Sequence, residues 1–255
     1  MTKFFLFARR FILLFSLVLG WEFASRAILD KTQATLLPPP SGVFRGAVEL
    51  AVSGELWTHL FDSLRREAVA FIYASVAIPL GVFMGVFRWV NEQLDAIVEI
   101  FRPIPPIAWI PLSILWFGVG NAQNQFIIFL GIFFPILLNT VDAVRGVEPN
   151  LVRAARCLGA SSFAVIVKVI LRAAMPQIVT GIRIGLGVGW MALVAAELVG
   201  ASSGLGFLIN DARTVLRTDY ILVGMLTIGF IGLTLDRIVR VVAQRTMPWS
   251  RALGG

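Results

Sequence analysis

Few side chains in this sequence could perform chemistry, and they are scattered along the chain. His59 is the only histidine and Cys157 the only cysteine among 255 residues. A catalytic triad or a zinc site needs several such groups together, whereas His59 has only Glu55 and Asp62 near it in sequence. A single cysteine forms no internal disulfide, and we expect it to be buried as a small apolar side chain. These residues indicate neither an enzyme nor a metal site.

Nucleotide chemistry is poorly represented as well. The glycines between Gly185 and Gly189 follow no predicted strand, and no phosphate-binding loop with its lysine occurs in the sequence. We therefore expect this chain to bind no cofactor. Any ATP and Mg²⁺ used with it should be bound by a separate protein.

The composition predicts the environment in which these residues are held. Hydrophobic residues make up 58% of the chain and charged residues 15%, and the mean hydropathy is +0.85. Soluble domains contain about 25% charged residues, so we predict an all-α polytopic membrane protein forming one domain over residues 1–255. The net charge of +7 fits basic residues at the cytoplasmic ends of spans better than nucleic-acid binding.

The apolar stretches predict about six transmembrane helices, because each crossing needs about 20 residues. The first is a retained anchor helix at 11–28, without a cleavage site. The core helices lie between about 68 and 239, at 68–87, 104–120, 126–144, 178–199 and 221–239. Four prolines in or beside 104–120 predict a broken helix in the protein interior.

The segments outside these spans predict the topology. We expect an outer connector at 30–40, rich in proline, and surface helices at 43–52 and from Glu55 onward. If six helices cross the membrane from a cytoplasmic N-terminus, Lys and Arg are in excess at the cytoplasmic ends of these helices. Both termini should therefore be cytoplasmic.

The stretch 148–172 is too long for a turn. Pro149 suits the first turn of a helix, Gly159 suits its end, and Ser161 or Ser162 suits the cap of a second short helix. Each helix has an apolar face; the residues of these faces are Leu151, Ala154, Ala155 and Leu158, then Phe163, Ile166, Val167 and Ile170. Such a hairpin could dock into a protein groove or lie on lipid headgroups, and the residues alone allow both.

A resemblance to a known family favours docking of the hairpin into a protein groove. Ala154-Ala155, followed by Gly159 and an isoleucine-rich helix that ends at Met175-Pro176, resembles the EAA loop of binding-protein-dependent ABC importer permeases. The sequence is similar to the nitrate, sulfonate and taurine branch in Gly54-Glu55-Leu56, Phe101-Arg102-Pro103-Ile104-Pro105-Pro106, Trp116-Phe117-Gly118 and Ser203-Gly204-Leu205-Gly206. It departs from the family at Arg153, where the motif has glutamate, and at Arg172, where many relatives have proline.

The resemblance implies a type I importer permease with MetI-like architecture in the bacterial inner membrane. Its partners would be a second permease, two cytoplasmic ATPases carrying ATP and Mg²⁺, and an extracytoplasmic solute-binding protein. The ATPase contact would be made by Ala154, Ala155, Leu158, Gly159, Ala160 and Phe163. The receptor would face Ser202, Ser203, Gly204 and Gly206. The cargo would be a small anion, with sulfonates or taurine before nitrate.

The polar residues within the spans are candidates for a pathway or a gate. They are Arg183, Glu197, Asn139 and Trp190. Charges within a bilayer normally face protein or water, so Glu197 could contact solute or pair with Arg213 or Arg217. Arg183 could contact an anion, reach the headgroups, or form a salt bridge.

Two other functional classes fit the sequence less well. A stand-alone secondary transporter or channel would need titratable groups near the midplane. A membrane enzyme would need clustered catalytic side chains.

Overall fold

The computed structural model describes residues 2–28, 30 and 36–247, and the regular elements in this part of the chain are all helical. This confirms the all-α prediction. Residues 31–35 of the predicted connector and the C-terminal residues 248–255 lie outside the described residues. The helices are α1 (Thr2–Phe23), α2 (Pro40–Val52), α3 (Glu55–Ala74), α4 (Ala77–Val86), α5 (Arg88–Phe101), α6 (Ile110–Phe117), α7 (Asn121–Arg145), α8 (Pro149–Cys157), α9 (Ser162–Val165), α10 (Leu171–Gly200), α11 (Leu205–Thr214) and α12 (Thr218–Thr246).

Four helical segments of the described chain are long and apolar enough to cross a membrane. They are Glu55–Val86, Asn121–Arg145, Ser162–Gly200 and Thr218–Thr246. A bent pair, Arg88–Phe101 with Pro106–Phe117, makes a fifth when counted as one span. The predicted anchor is helical, since α1 continues into a π-helical turn, Ala24–Ile28. A count of six spans is compatible with these segments and stays a prediction.

The proline-rich segment is broken as predicted. The bent pair turns by 81° between α5 and the segment Pro106–Phe117, in which the short 3₁₀ helix Pro106–Trp109 leads into α6. Prolines cause this break because they lack an N–H donor and clash with the preceding turn. Helix α6 has a buried and an exposed side in the single chain, since Ile110 is 4% and Leu115 81% exposed, and its interior position stays a prediction.

The expectation of a separate surface helix at Glu55 is also wrong. Helix α3 begins there, runs to Ala74, and after a short break continues as α4 to Val86. The charged residues of its first turns suggested a surface location. They are instead the beginning of a segment of 32 residues whose later part is apolar enough to span.

The described chain divides into two compact units. Unit 1 comprises Met1–Asp62 and Ser203–Gly229, and unit 2 comprises Ser63–Ser202 and Phe230–Gly255. The core of unit 1 includes Val43, Leu50, Leu208 and Val223. The assignment of residues 1–255 to one domain stays a prediction.

The core of unit 2 depends on close contact between α7 and α10 at glycines. A Cβ on Gly181 would lie 2.5 Å from Cβ of Asn139, and one on Gly189 would lie 2.4 Å from Cγ1 of Ile132. Side chains at these positions would overlap the neighbouring helix. The glycines therefore permit the short distance between the helices.

Candidate functional site

The predicted hairpin is present, and its turn is formed by local hydrogen bonds. Pro149 is in the first turn of α8, and Gly159, after its end, has φ +81°. The N–H of Gly159 donates to the carbonyl of Arg156 at 3.0 Å, and the N–H of Ala160 donates to that of Ala155 at 3.1 Å. This pair of bonds is a Schellman motif, which requires a left-handed residue that glycine adopts without steric cost.

The second arm of the hairpin is not a separate short helix, which corrects the predicted end at 172. Ser161 caps α9, its Oγ accepting a hydrogen bond from the N–H of Ala164. The helix then continues through a π-helical turn, Ile166–Ile170, directly into α10. One helical segment of 39 residues, Ser162–Gly200, thus connects the hairpin to a candidate span.

The tip of the hairpin presents apolar side chains to solvent. Leu158 is 88% exposed and Phe163 is 76% exposed, one on each side of Gly159. Ala154 is exposed, while Ala155 and Ala160 are half-buried. We refer to Leu158, Gly159 and Phe163 as the hairpin tip. The expectation that Cys157 is buried is wrong, because it is exposed next to this tip.

Glu197 is buried and forms an ion pair, but with a residue that the sequence did not single out. Its Oε1 accepts a hydrogen bond from Nη1 of Arg66 at 2.7 Å, and both carboxylate oxygens accept from Oγ of Ser63 at 2.9 Å. Nε of Arg66 also donates to Oδ1 of Asn121 at 2.8 Å. Ser63, Arg66 and Glu197 form a buried polar cluster between α3 and α10 within unit 2, and the exposed Asn121 connects it to α7.

The expected partners of Glu197, Arg213 and Arg217, were wrong. Arg217 instead pairs with Glu49 and Asp219 in unit 1, with Nη2 at 2.9 Å from each carboxylate. Hydrogen bonds from Arg217 and from Tyr220 lower the pKa of the Glu49 carboxyl. Ser63 and Arg66 are three residues apart and therefore share one face of α3, and this is the face that meets Glu197.

A neighbouring carboxyl was missed altogether. Glu67 follows Arg66 in the sequence and is buried, and neither of its carboxylate oxygens has a hydrogen-bond partner within the described residues. A Cβ on Gly189 would lie 3.0 Å from its Oε1. Glu67 is therefore packed against α10, beside the contact between α7 and α10.

Arg183 forms the salt bridge that was one of its predicted alternatives. Its Nε and Nη2 donate to the carboxylate of Asp236 on α12, which also accepts from Nη2 of Arg240 at 3.1 Å. These three side chains are partly exposed.

Of the remaining pathway candidates, Trp190 lines the same cavity as Arg183, whereas Asn139 is absent from its walls. Nδ2 of Asn139 donates to the carbonyl of Pro135 on the same helix at 2.8 Å. Trp190 is buried, with a Cβ on Gly232 predicted by geometry to lie 3.3 Å from its ring. A pathway role for these residues stays a prediction.

The candidate receptor loop is only partly accessible. Ser202 is exposed and Ser203 is half-buried, whereas Gly204 and Gly206 are buried. Gly204 has φ +114°, and its N–H donates to Nδ1 of His59 at 3.1 Å within unit 1. The predicted receptor contact of these four residues stays a prediction.

The described residues contain no group of three His, Cys, Asp or Glu side chains placed to hold a metal ion. The candidate functional site has two features, which were described above. One is an exposed apolar tip at the end of a long helix, and the other is a set of ion pairs between helices.

Comparison with known families gives a match over most of the chain. A family model described as "Binding-protein-dependent transport system inner membrane component" matches residues 77–248. The taurine transport system permease protein TauC of Escherichia coli is 41% identical over 88% of this chain and 83% of that protein. The nitrate import permease protein NrtB of Leptolyngbya laminosa is 34% identical over 76% of this chain and 70% of that protein.

A solved structure has a similar fold. A chain of the MetNI methionine ABC transporter, in an inward-facing conformation, matches with a TM-score of 0.55 and 26% identity. The match covers 70% of this chain and 93% of that one. The MetI-like architecture predicted from the sequence is thus confirmed.

Proposed function

The chain belongs to the family of binding-protein-dependent transport system inner membrane components, and from this premise we propose that two copies of it form the membrane pathway of an ATP-driven importer. A separate ATPase subunit would hydrolyse ATP, and an extracytoplasmic solute-binding protein would deliver the solute. Lys and Arg at the predicted inner ends support cytoplasmic termini. The relatives are transport permeases, which disfavours the alternative of a stand-alone transporter or channel.

The observation that carries this proposal is the exposed apolar tip at the end of a continuous helix. Leu158 and Phe163 would be costly to expose to water, at up to about 1.5–3 kcal/mol for each side chain relative to a buried position. A groove on the ATPase would bury them. Arg153 and Arg156 on α8 are exposed and would remain in water at the edge of such a contact.

The geometry supports a mechanism for coupling. The Schellman motif fixes the angle between α8 and α9, and α9 continues as helix into α10. A displacement of the tip would therefore be transmitted to α10 rather than absorbed in a flexible loop. Since α10 carries Arg183, Trp190 and Glu197, the same displacement would move the candidate pathway residues.

The solute we propose is a small anion of the taurine, sulfonate or nitrate type. TauC and NrtB are named for taurine and nitrate, and these solutes share a compact oxyanion group. Glu197 would not repel such an anion, because Arg66 and Ser63 already bind its carboxylate. Specificity would be determined mainly by the solute-binding protein.

The test is a reconstituted system with two matched variants. The chain is co-expressed with its ATPase and solute-binding protein, and ATP hydrolysis is measured with the receptor loaded with taurine, an alkanesulfonate or nitrate. We expect one loaded receptor to stimulate hydrolysis. Leu158→Asp should abolish this stimulation and release the ATPase during purification, because the tip no longer fits an apolar groove.

The control is Val52→Asp, which introduces the same charge at an apolar residue that is 82% exposed and lies far from the hairpin in sequence. It should leave stimulation unchanged. If Leu158→Asp retains full stimulation, the hairpin tip is not the ATPase contact.

A further inference from the structure

A groove between α10 and α12 in unit 2 contains more positive than negative charge. Arg183 lies on α10, and Asp236 and Arg240 lie on α12. Both guanidiniums donate to the one carboxylate, Arg183 through Nε and Nη2 and Arg240 through Nη2. Two cations therefore share one anion, and the group has an excess of one positive charge.

The ion pairs with Asp236 use only some of the N–H donors of Arg183 and Arg240. A guanidinium has five N–H groups, and Asp236 is the one acceptor that Arg183 and Arg240 use within the described residues. All three side chains remain between 36% and 49% exposed. Most of the N–H groups of both arginines are thus available to a further acceptor.

The groove has room for such an acceptor. Two adjoining cavities, of about 70 and 170 Å³, share Arg183 and Val239 in their walls. The larger one alone exceeds by more than tenfold the roughly 10–15 Å³ that a single water requires. Its polar wall includes Thr180, Arg240 and Gln244, and its apolar wall includes Pro176 and Val179.

We propose that this groove binds an oxyanion, with Arg183 and Arg240 as its donors and Asp236 as a carboxylate that competes for the same N–H groups. Paired arginines suit phosphate and sulfonate oxygens because the planar fork of donors can bind two oxygens at once. Two sources can supply this chemistry: the phosphate of an anionic phospholipid and the oxyanion of a transported solute. The apolar wall is suited to the glycerol and upper acyl region of a lipid.

The lipid source goes beyond the proposed function. The solute source rests on it, since the groove would then be part of the transport pathway. A binding measurement on the purified full-length chain requires neither ATPase nor receptor. A negative result in this binding measurement can therefore be distinguished from a negative result in the transport assay.

The experiment titrates the detergent-purified chain with three probes by isothermal calorimetry. Dioctanoyl phosphatidylglycerol carries a phosphate with net charge, dioctanoyl phosphatidylcholine is the neutral lipid control, and methanesulfonate is the small anion. The variants are Arg240→Gln, Asp236→Asn and the control Arg237→Gln. Arg237 is exposed on α12 and is absent from the walls of both cavities.

We expect the anionic probe to bind saturably and the phosphatidylcholine not to. Arg240→Gln should weaken binding about tenfold, because it removes a charge-assisted hydrogen bond. Asp236→Asn should strengthen it several-fold, because it removes the competing negative charge. Arg237→Gln should leave it unchanged.

The probe that binds identifies the source. Saturation by phosphatidylglycerol alone assigns the groove to lipid, and saturation by methanesulfonate with the same dependence on Arg240 assigns it to the solute. The proposal is overturned if neither anion binds better than phosphatidylcholine, or if Arg237→Gln weakens binding as much as Arg240→Gln does.

Discussion

The buried ion pair between Arg66 and Glu197 yields the sharpest prediction for stability. Its side chains are 6% and 0% exposed, so neither can exchange its partner for water. Removing one member of such a pair leaves an uncompensated charge in a low dielectric, which costs about 3–5 kcal/mol. Arg66→Met should therefore destabilise the protein by about this amount, because the buried Glu197 carboxylate would lose the cation that balances its charge.

The loss of stability in Arg66→Met also depends on whether Glu197, the other member of the ion pair, keeps its charge. Arg66→Met combined with Glu197→Leu removes both charges and fills the space with apolar groups, which often proves neutral or stabilising relative to the original pair. We expect the double variant to be more stable than Arg66→Met alone by about 2 kcal/mol or more. This recovery of stability is specific to a coupled pair, since the losses from two independent substitutions would simply add.

The assay is reversible unfolding of the detergent-purified chain by increasing SDS, followed by circular dichroism, for the wild type, both single variants and the double variant. Arg88→Met is the control, because Arg88 pairs with Glu92 on an exposed surface where such a pair contributes about 0–1 kcal/mol. A loss below about 1 kcal/mol for Arg66→Met, or additive losses in the double variant, would refute the reasoning.

Three further predictions concern the helix contacts, the hairpin turn and the surface of unit 1. Gly189→Leu should destabilise the protein by about 1–3 kcal/mol or prevent its folding, because its Cβ would lie 2.4 Å from Ile132, whereas Gly187→Leu, with open space around it, should be tolerated in the same unfolding assay. Gly159→Ala should destabilise the native chain by about 1 kcal/mol from the positive φ alone and accelerate hydrogen exchange in α8, while Gly159→Glu should leave the chain in the membrane but abolish stimulation of ATP hydrolysis. The bonds to Glu49 lower the pKa of its carboxyl, so their contribution is present above the usual carboxyl pKa and is lost as the pH falls through the lowered value. A melting curve recorded at decreasing pH should therefore show less acid sensitivity in Glu49→Gln, and equal sensitivity would contradict this account.

Much of the candidate site followed from local chemistry. The start of α8 at Pro149, its end at Gly159 and the cap at Ser161 were all predicted, because caps and turns are formed by residues close in sequence. The break near Pro105 followed in the same way, from a ring that removes a donor. These features need no information from distant parts of the chain.

Continuity between elements was predicted less well. The sequence suggested that the second arm of the hairpin ends near Arg172 and that a surface helix precedes residue 68, yet helix runs through both positions. Charged side chains at such positions indicate that the residues near them in sequence are exposed to water. A helix can nevertheless cross from water into a membrane without interruption, because its backbone hydrogen bonds are satisfied in both environments.

The sequence by itself determined the helical class, the membrane environment, the family and the turn at Gly159, because composition and short-range hydrogen bonding decide these. Only the tertiary structure decided which charges meet. Arg66 and Glu197 are 131 positions apart, and Arg213 and Arg217 were equally plausible partners on charge alone. The choice depends on which faces of α3 and α10 approach each other, and the packing of whole helices, not any local pattern, fixes those faces.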